Sequence, residues 1–480
     1  MRTLFHHIRI SPWHRRLFYL LVLLLPLGGR LRFFRETSML YGQFGEYIVP
    51  ELYLTDIVIG LLLVSWFISW FRGRSREPVG PSTKLFYFCF GVLFSAGVLS
   101  LTGAILPWAG VYRLLKLLEW GALVWYIVAS SWTRCDMAVI AGGLVAGGVG
   151  QSLLSWYQFT EQESLTSGFL AHAIGEQPIS LGEQGISYVW TLGQRWVRPY
   201  GTFSHPNVLS GYLLMTLTAG LALWFEAQRR VSDRRSVLVL TAAVTVIAGG
   251  IGIALSRVIW FLAAASAVFI FVLFPSEISS YVRVHLVRRL RTSGFVLRVS
   301  AMAAGLSAVV LTAGGVYLML IRIGTLWSSN QITVTGRILL NSFAMRMLEL
   351  HPLGIGLGNF TALVRSYDST GYFNTVIQPV HNVFLLVGGE MGIFALAAFA
   401  VMIGTVFYAV IRGMAVSHER RWTTIGLALF LMLACCCAVM FVDHYLWTIQ
   451  QGQLIWWLVC AFCLKYSSLS GDPHASARTR

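Results

Sequence analysis

The fold class the chain predicts is an all-α integral membrane protein. Hydrophobic residues make up 56% of its 480 residues and charged residues only 12%, with a mean hydropathy of +0.69, which is beyond what a water-soluble domain tolerates. The apolar residues fall in stretches of about 18 to 25, each long enough at about 1.5 Å per residue to cross roughly 30 Å of hydrocarbon. Lys and Arg cluster in alternate connections between these stretches, as expected where basic loops are retained on the cytoplasmic side.

About twelve transmembrane helices follow from that reading, over residues 15–32, 52–71, 85–106, 111–130, 137–158, 205–225, 236–255, 257–274, 298–321, 381–411, 422–443 and 447–465. The first follows a basic segment and could pass for a signal peptide, but no small-residue cleavage site follows it and more spans do. With the N-terminus inside, the cytoplasmic segments hold most of the 36 basic residues, among them Arg15, Arg16, Arg72, Arg134, Arg229, Arg288, Arg412 and Lys465. Both termini are then cytoplasmic. The net charge of +16 reads as a topology signal, and nucleic acid, which needs a soluble basic face, is not expected as a partner. Six of the seven cysteines lie in predicted spans and Cys135 in a cytoplasmic turn, so no disulfide framework, zinc spacing or redox pair is indicated.

Residues 1–480 form one polytopic membrane domain with two long external loops, 159–204 and 322–380. Loops of that length usually carry function. The second contains a helix candidate from Gly336 to Leu350, with Thr333 and Thr335 as possible caps and His351-Pro352 as the stop. Its apolar residues suggest that it lies against the membrane or the bundle.

After the cytoplasmic set is removed, Arg195, Arg198, Arg257, Arg322, Arg337, Arg346 and Arg365 remain in or beside these loops. Arg257 sits beside Ser256 in the turn between two back-to-back spans. It is either an interfacial cation snorkelling to lipid headgroups or an anion ligand facing the bundle. Arg198 opens a turn-rich run and is either a loop residue or a ligand. Arg337 and Arg346, nine residues apart, project from opposite faces of one helix. Arg346 has Glu349 available at i,i+3, which leaves Arg337, beside Gly336, for a ligand; Arg322, where the ninth span meets the loop, is a further candidate. Arg113, Lys116 and Glu119 recur at i,i+3 in the fourth span, which reads first as a self-neutralising stripe and second as a lipid-phosphate contact.

His381-Asn382 follows Gln378-Pro379-Val380 at the start of the tenth span. A histidine there is either a satisfied polar residue or a base. Glu390, nine residues on, lies on the opposite helix face and cannot orient it directly. His205 and His351 each precede a proline and read equally as turn residues or ligands. The glycine run Leu353-Gly354-Ile355-Gly356-Leu357-Gly358-Asn359 lacks the Lys-Ser/Thr of a nucleotide loop, although a backbone nest for an anion remains open.

Together, Arg198-Pro-Tyr-Gly-Thr-Phe-Ser-His-Pro-Asn207, Ser256-Arg257, Gly336-Arg337, His351-Pro-Leu-Gly-Ile-Gly-Leu-Gly-Asn-Phe360 and His381-Asn382 with Glu390-Met-Gly392 resemble the O-antigen ligase and polymerase superfamily over about residues 195–400. The ligase pattern of His-Asn, nine residues, Gly, two residues and Gly, Thr or Tyr is met at His381, Asn382 and Gly392, whereas Ala395 occupies the last position. The resemblance implies a metal-independent, inverting glycosyltransferase of GT-C type without cofactors. Its donor would be undecaprenyl-diphosphate-linked O-antigen on the periplasmic face, among membrane lipids, and its acceptor lipid A-core oligosaccharide. It implies His381 as base and Arg257 and Arg337 as diphosphate ligands; Arg198 and Arg322 join them by charge and topology, and Asn382 and His205 are supporting residues. O-antigen polymerase and protein O-oligosaccharyltransferase share this donor chemistry. A lipid-linked glycan transporter is the alternative from another class.

Overall fold

The computed structural model describes residues 2–71, 77, 79–179, 186–191, 194–228, 234–273, 331–369, 371, 373, 377–417 and 420–470. Helices dominate them: α1 (Arg2–Ile10), α2 (Trp13–Leu24), α3 (Leu54–Phe71), α4 (Pro81–Ser100), α5 (Pro107–Ala129), α6 (Arg134–Glu161), α7 (Gly168–Ile174), α8 (Pro206–Gln228), α9 (Arg234–Ile253), α10 (Arg257–Leu273), α11 (Gln331–Leu350), α12 (Phe360–Tyr367), α13 (Val383–Val416), α14 (Arg420–Met440), α15 (Tyr445–Thr448) and α16 (Gln450–Ser470). Three two-stranded antiparallel ribbons decorate the connections: β1 (Arg30–Arg32) with β4 (Glu51–Tyr53), β2 (Met39–Leu40) with β3 (Gln43–Phe44), and β5 (Tyr188–Thr191) with β6 (Gln194–Val197).

Among the described residues seven helices are long and apolar enough to cross a membrane, α3, α4, α6, α8, α9, α13 and α14, and the expected count of about twelve is not confirmed. Particular residues account for the difference. The first predicted span yields only the 12-residue α2, because Pro26 and Gly28-Gly29 follow it and Arg30–Arg32 pairs as β1. Helix α5 is 23 residues long but carries Arg113, Lys116 and Glu119. Helix α10 stops at 17 residues, and α16 begins with Gln450, Gln451 and Gln453. The ninth predicted span, 298–321, and Arg322 lie outside the described residues.

The core forms where α13 packs along α4 and α16, while α6, α8 and α9 pack together and α14 bridges α13, α16 and α8. Large aromatic rings fill the seams, with Trp120, Trp456, Trp457 and Phe399 fully buried. Lys116, buried in the bundle, is ion-paired, as low-dielectric surroundings favour. Lys116 contacts Glu119 at 2.8 Å, the i,i+3 pair the spacing predicts, and Asp56 of α3 at 2.7 Å. All seven cysteines are free.

Two features set up the site. The first is the break in α13 at Gly392, whose φ of 86° only glycine adopts readily. The glycine run after α11 docks across that break: the Ile355 and Gly356 N–H groups donate to the Gly389 and Glu390 carbonyls, both at 3.0 Å, and Ile393 N–H donates to Pro352 O at 3.0 Å. Phe360 N–H donates to Glu390 Oε1 at 3.1 Å. The acceptor held by this backbone is therefore the chain's own Glu390 carboxyl. The second feature is α11, which begins five residues before the predicted Gly336 and lays Leu340, Ala344 and Met347 against α13.

Candidate active site

A polar cluster forms at the end of the bundle where α8, α10 and α13 begin and α14 finishes. Short connections carry each member. His205 immediately precedes α8, and its Nδ1 accepts the Asn207 N–H at 3.1 Å, which in the neutral ring leaves the proton on Nε2. Asn382 is the N-cap of α13. Its side chain accepts Leu385 N–H at 3.1 Å and donates to Phe441 O at 3.4 Å, which ties the start of α13 to the end of α14 and orients the neighbouring His381. Beyond α14 the chain turns through Asp443 and His444 into the single turn α15. Asp443 accepts the Asn207 Nδ2–H at 2.8 Å and the His444 backbone N–H at 2.8 Å. The His444 ring meets that of His381 edge-on at 5.0 Å and that of Tyr47 at 5.2 Å.

Arg113, two turns into α5, donates to Tyr47 O at 2.8 Å and Thr448 O at 2.9 Å. It leaves the Lys116 and Glu119 pair to itself and fixes the two segments that flank His444. The cluster is thus held by charge-assisted bonds to backbone carbonyls, which survive poor solvation better than neutral ones.

Electrostatics assign the protonation states. Burial lowers the pKa of His381; the Asp443 charge opposes that shift and Arg337 adds to it. Burial also brings His444 down to about 3, with His381 contributing, and His205 down to about 4, with Arg198 contributing. For Asp443, burial pushes the carboxyl up, but His444, His381, His205 and the Asn207 amide outweigh it and hold the group at about 2. At neutral pH the cluster is therefore three neutral imidazoles around one carboxylate.

The sequence-derived candidates fall into distinct places. Arg198 is buried, and its guanidinium donates to Ala254 O at 3.0 and 2.8 Å, to Asn207 Oδ1 at 3.0 Å and to Ser187 Oγ at 3.2 Å. It braces the turn between α9 and α10, where Leu255 has a φ of 54°, and so sets where Arg257 starts α10. Arg257 and Arg337 are both half-buried. The Arg337 charge acts on Arg257, His205 and His381 alike, so these four groups share one electrostatic neighbourhood. Arg346 and Glu349 are exposed on the far face of α11.

Asp443 and His444 are the site residues that reading the sequence missed. They fall where the eleventh predicted span ends, and an acid followed by a histidine between two apolar runs was the available signal. One ligand atom from each of His381, Asp443 and His444 lies within 4.8 Å of the others, so these three could hold a metal ion. His381 Nδ1 is buried with no hydrogen-bond partner.

No protein-family model matches the chain, and no curated protein matches it.

Proposed function

We propose that the chain is an inverting glycosyltransferase that moves a glycan from undecaprenyl diphosphate to an acceptor hydroxyl at the periplasmic face of the inner membrane, with lipid A-core oligosaccharide as the acceptor. The observation that carries this reading is the cluster at the start of α13, where the His381 ring meets that of His444 at 5.0 Å beside the Asp443 carboxylate, with the Arg337 charge acting on His381. Two guanidinium groups whose charges act on one another suit an anion with more than one negative charge, and a neutral imidazole under the same field suits a base.

The reaction needs little else. His381 takes the proton of the acceptor hydroxyl as that oxygen bonds to the anomeric carbon from the side opposite the diphosphate. The bond from the anomeric carbon to the phosphate oxygen breaks, and the electron pair leaves with the diphosphate. Arg257 and Arg337 neutralise the charge that develops there, which is worth most in a poorly hydrated site. Asp443, held by Asn207 and the His444 N–H, faces the imidazole and stabilises the cation formed when His381 takes the proton. Arg198 acts through the turn it braces, so it is a positioning residue. The polymerase reading uses the same donor chemistry and differs only in the acceptor.

The test is transfer by purified protein from undecaprenyl-diphosphate glycan to lipid A-core, a second lipid-linked glycan or a pilin-like protein, each offered separately with chelator present. Product on lipid A-core alone is expected. Product only on the second lipid-linked glycan would replace ligase by polymerase. Transfer by His381→Ala at the rate of the unaltered chain would sink the base assignment, and movement of the intact donor across vesicles without transfer would place the protein among transporters.

A further inference from the structure

We propose that His381, Asp443 and His444 form a binding site for one divalent transition-metal ion of the zinc class, and that the bound ion takes the imidazole lone pair that would otherwise accept the substrate proton. The first half rests on geometry alone. The second rests on the glycosyltransferase reading and makes the ion an inhibitor.

Two imidazoles and one carboxylate are the donor set that zinc, cobalt and nickel prefer, whereas magnesium and calcium favour all-oxygen shells. The donor atoms lie within 4.8 Å of one another. A four-coordinate ion with bonds of about 2.0–2.1 Å holds its donors about 3.4 Å apart, so closing the cluster on an ion needs the donors to approach by no more than about 1.4 Å. Each donor is also prepared by its surroundings. Thr448 donates its hydroxyl proton to His444 O at 3.1 Å, so its oxygen accepts the His444 Nδ1–H at 2.7 Å. That assignment leaves the lone pair of His444 on Nε2, the arrangement in which an outer partner fixes the tautomer of a metal-binding histidine. Both Asp443 oxygens are held, by Asn207 and by the His444 N–H, and each keeps a lone pair. His381 offers one ring nitrogen to the cluster, and its Nδ1 is buried without a hydrogen-bond partner, a costly state that a polar partner would relieve. His205 stands nearby, but its Nδ1 already accepts the Asn207 N–H and it is not a ligand.

The experiment titrates tag-free, full-length protein in lipid nanodiscs with cobalt(II) chloride, reads the visible bands of a low-symmetry cobalt site, and then displaces the cobalt with zinc chloride. One ion per chain is expected. His381→Gln and His444→Gln should each abolish the bands, and Thr448→Val should weaken binding by about 10- to 100-fold, as loss of an outer partner does. His172→Gln, on the exposed helix α7, should leave binding unchanged. Thermal melting checks that each variant folds; if His444→Gln does not, His381→Gln and Thr448→Val carry the test. Binding that neither of those two variants alters overturns the site. Cluster-dependent binding with glycan transfer undiminished by zinc keeps the site and overturns the role of His381 as base.

Discussion

As the proposed base, His381 would work only with its ring neutral, so the pH dependence of transfer would report its surroundings. Its pKa is held below the ordinary value of about 6.5 by burial, with Asp443 opposing and Arg337 assisting. The rate should therefore be flat through neutrality and fall only as acid protonates the ring. Asp443→Asn removes the charge that raises the pKa, so the acid limb should move to lower pH. Arg337→Gln removes one that lowers it, so the limb should move to higher pH. Shifts in the same direction, read from initial rates of transfer across pH 4–8, would contradict the charge assignment. His381→Ala should cost about 10²- to 10⁴-fold in kcat, the usual contribution of a positioned base. Arg257→Lys keeps the charge and loses the planar fork; kcat should drop at least about tenfold with little change in melting temperature.

Arg198 and Gly392 act through the segments they hold. Arg198 fastens the turn between α9 and α10 through Ala254 O and reaches Asp443 through Asn207. Arg198→Ala should lower stability by about 1.5–3 kcal/mol, the worth of hydrogen bonds from a charged donor, and transfer should fall with it because Arg257 loses its register. Gly392 breaks α13 so that the glycine run can seat on the freed carbonyls, and a Cβ there would lie 2.4 Å from Pro352 O. Gly392→Ala therefore meets both a left-handed backbone and a main-chain clash, and should cost at least about 1–3 kcal/mol, measured as thermal melting in detergent. A melting temperature equal to that of the unaltered chain would show that the break is not required.

For the molecule as a whole, the proposed sidedness puts the cluster outside and the anchoring of α1 and α2 inside. There Arg15 and His7 reach Asp136 at the start of α6 at 3.2 and 2.7 Å, and the neighbouring Cys135 is half-buried. Helix α7, in the connection before β5, carries Phe169, which is 87% exposed. In intact cells, Phe169→Cys should react with a membrane-impermeant maleimide, whereas Cys135 should react only after lysis. The reverse pattern would invert the topology and end the proposal of a periplasmic site.

Helical membrane architecture was legible because it is a property of local composition: apolar runs, their lengths and the charges between them specify helices with no knowledge of partners. The glycine run, His381 and the outer arginines could be singled out in the same way, since each stands out against an apolar background. How many helices are long and apolar enough to span was harder to read, because Pro26, Gly28-Gly29 and the charges of α5 shorten or polarise segments that average as apolar. The relations between distant residues were beyond reach. That Arg198 serves Ala254 and Asn207, that Glu390 occupies the backbone nest, and that Asp443 and His444 join His381 all depend on which helix ends meet. Packing of the large aromatic and aliphatic surfaces brings those ends together, and hydrogen bonds from buried polar groups then select their partners, across 236 positions between Asn207 and Asp443.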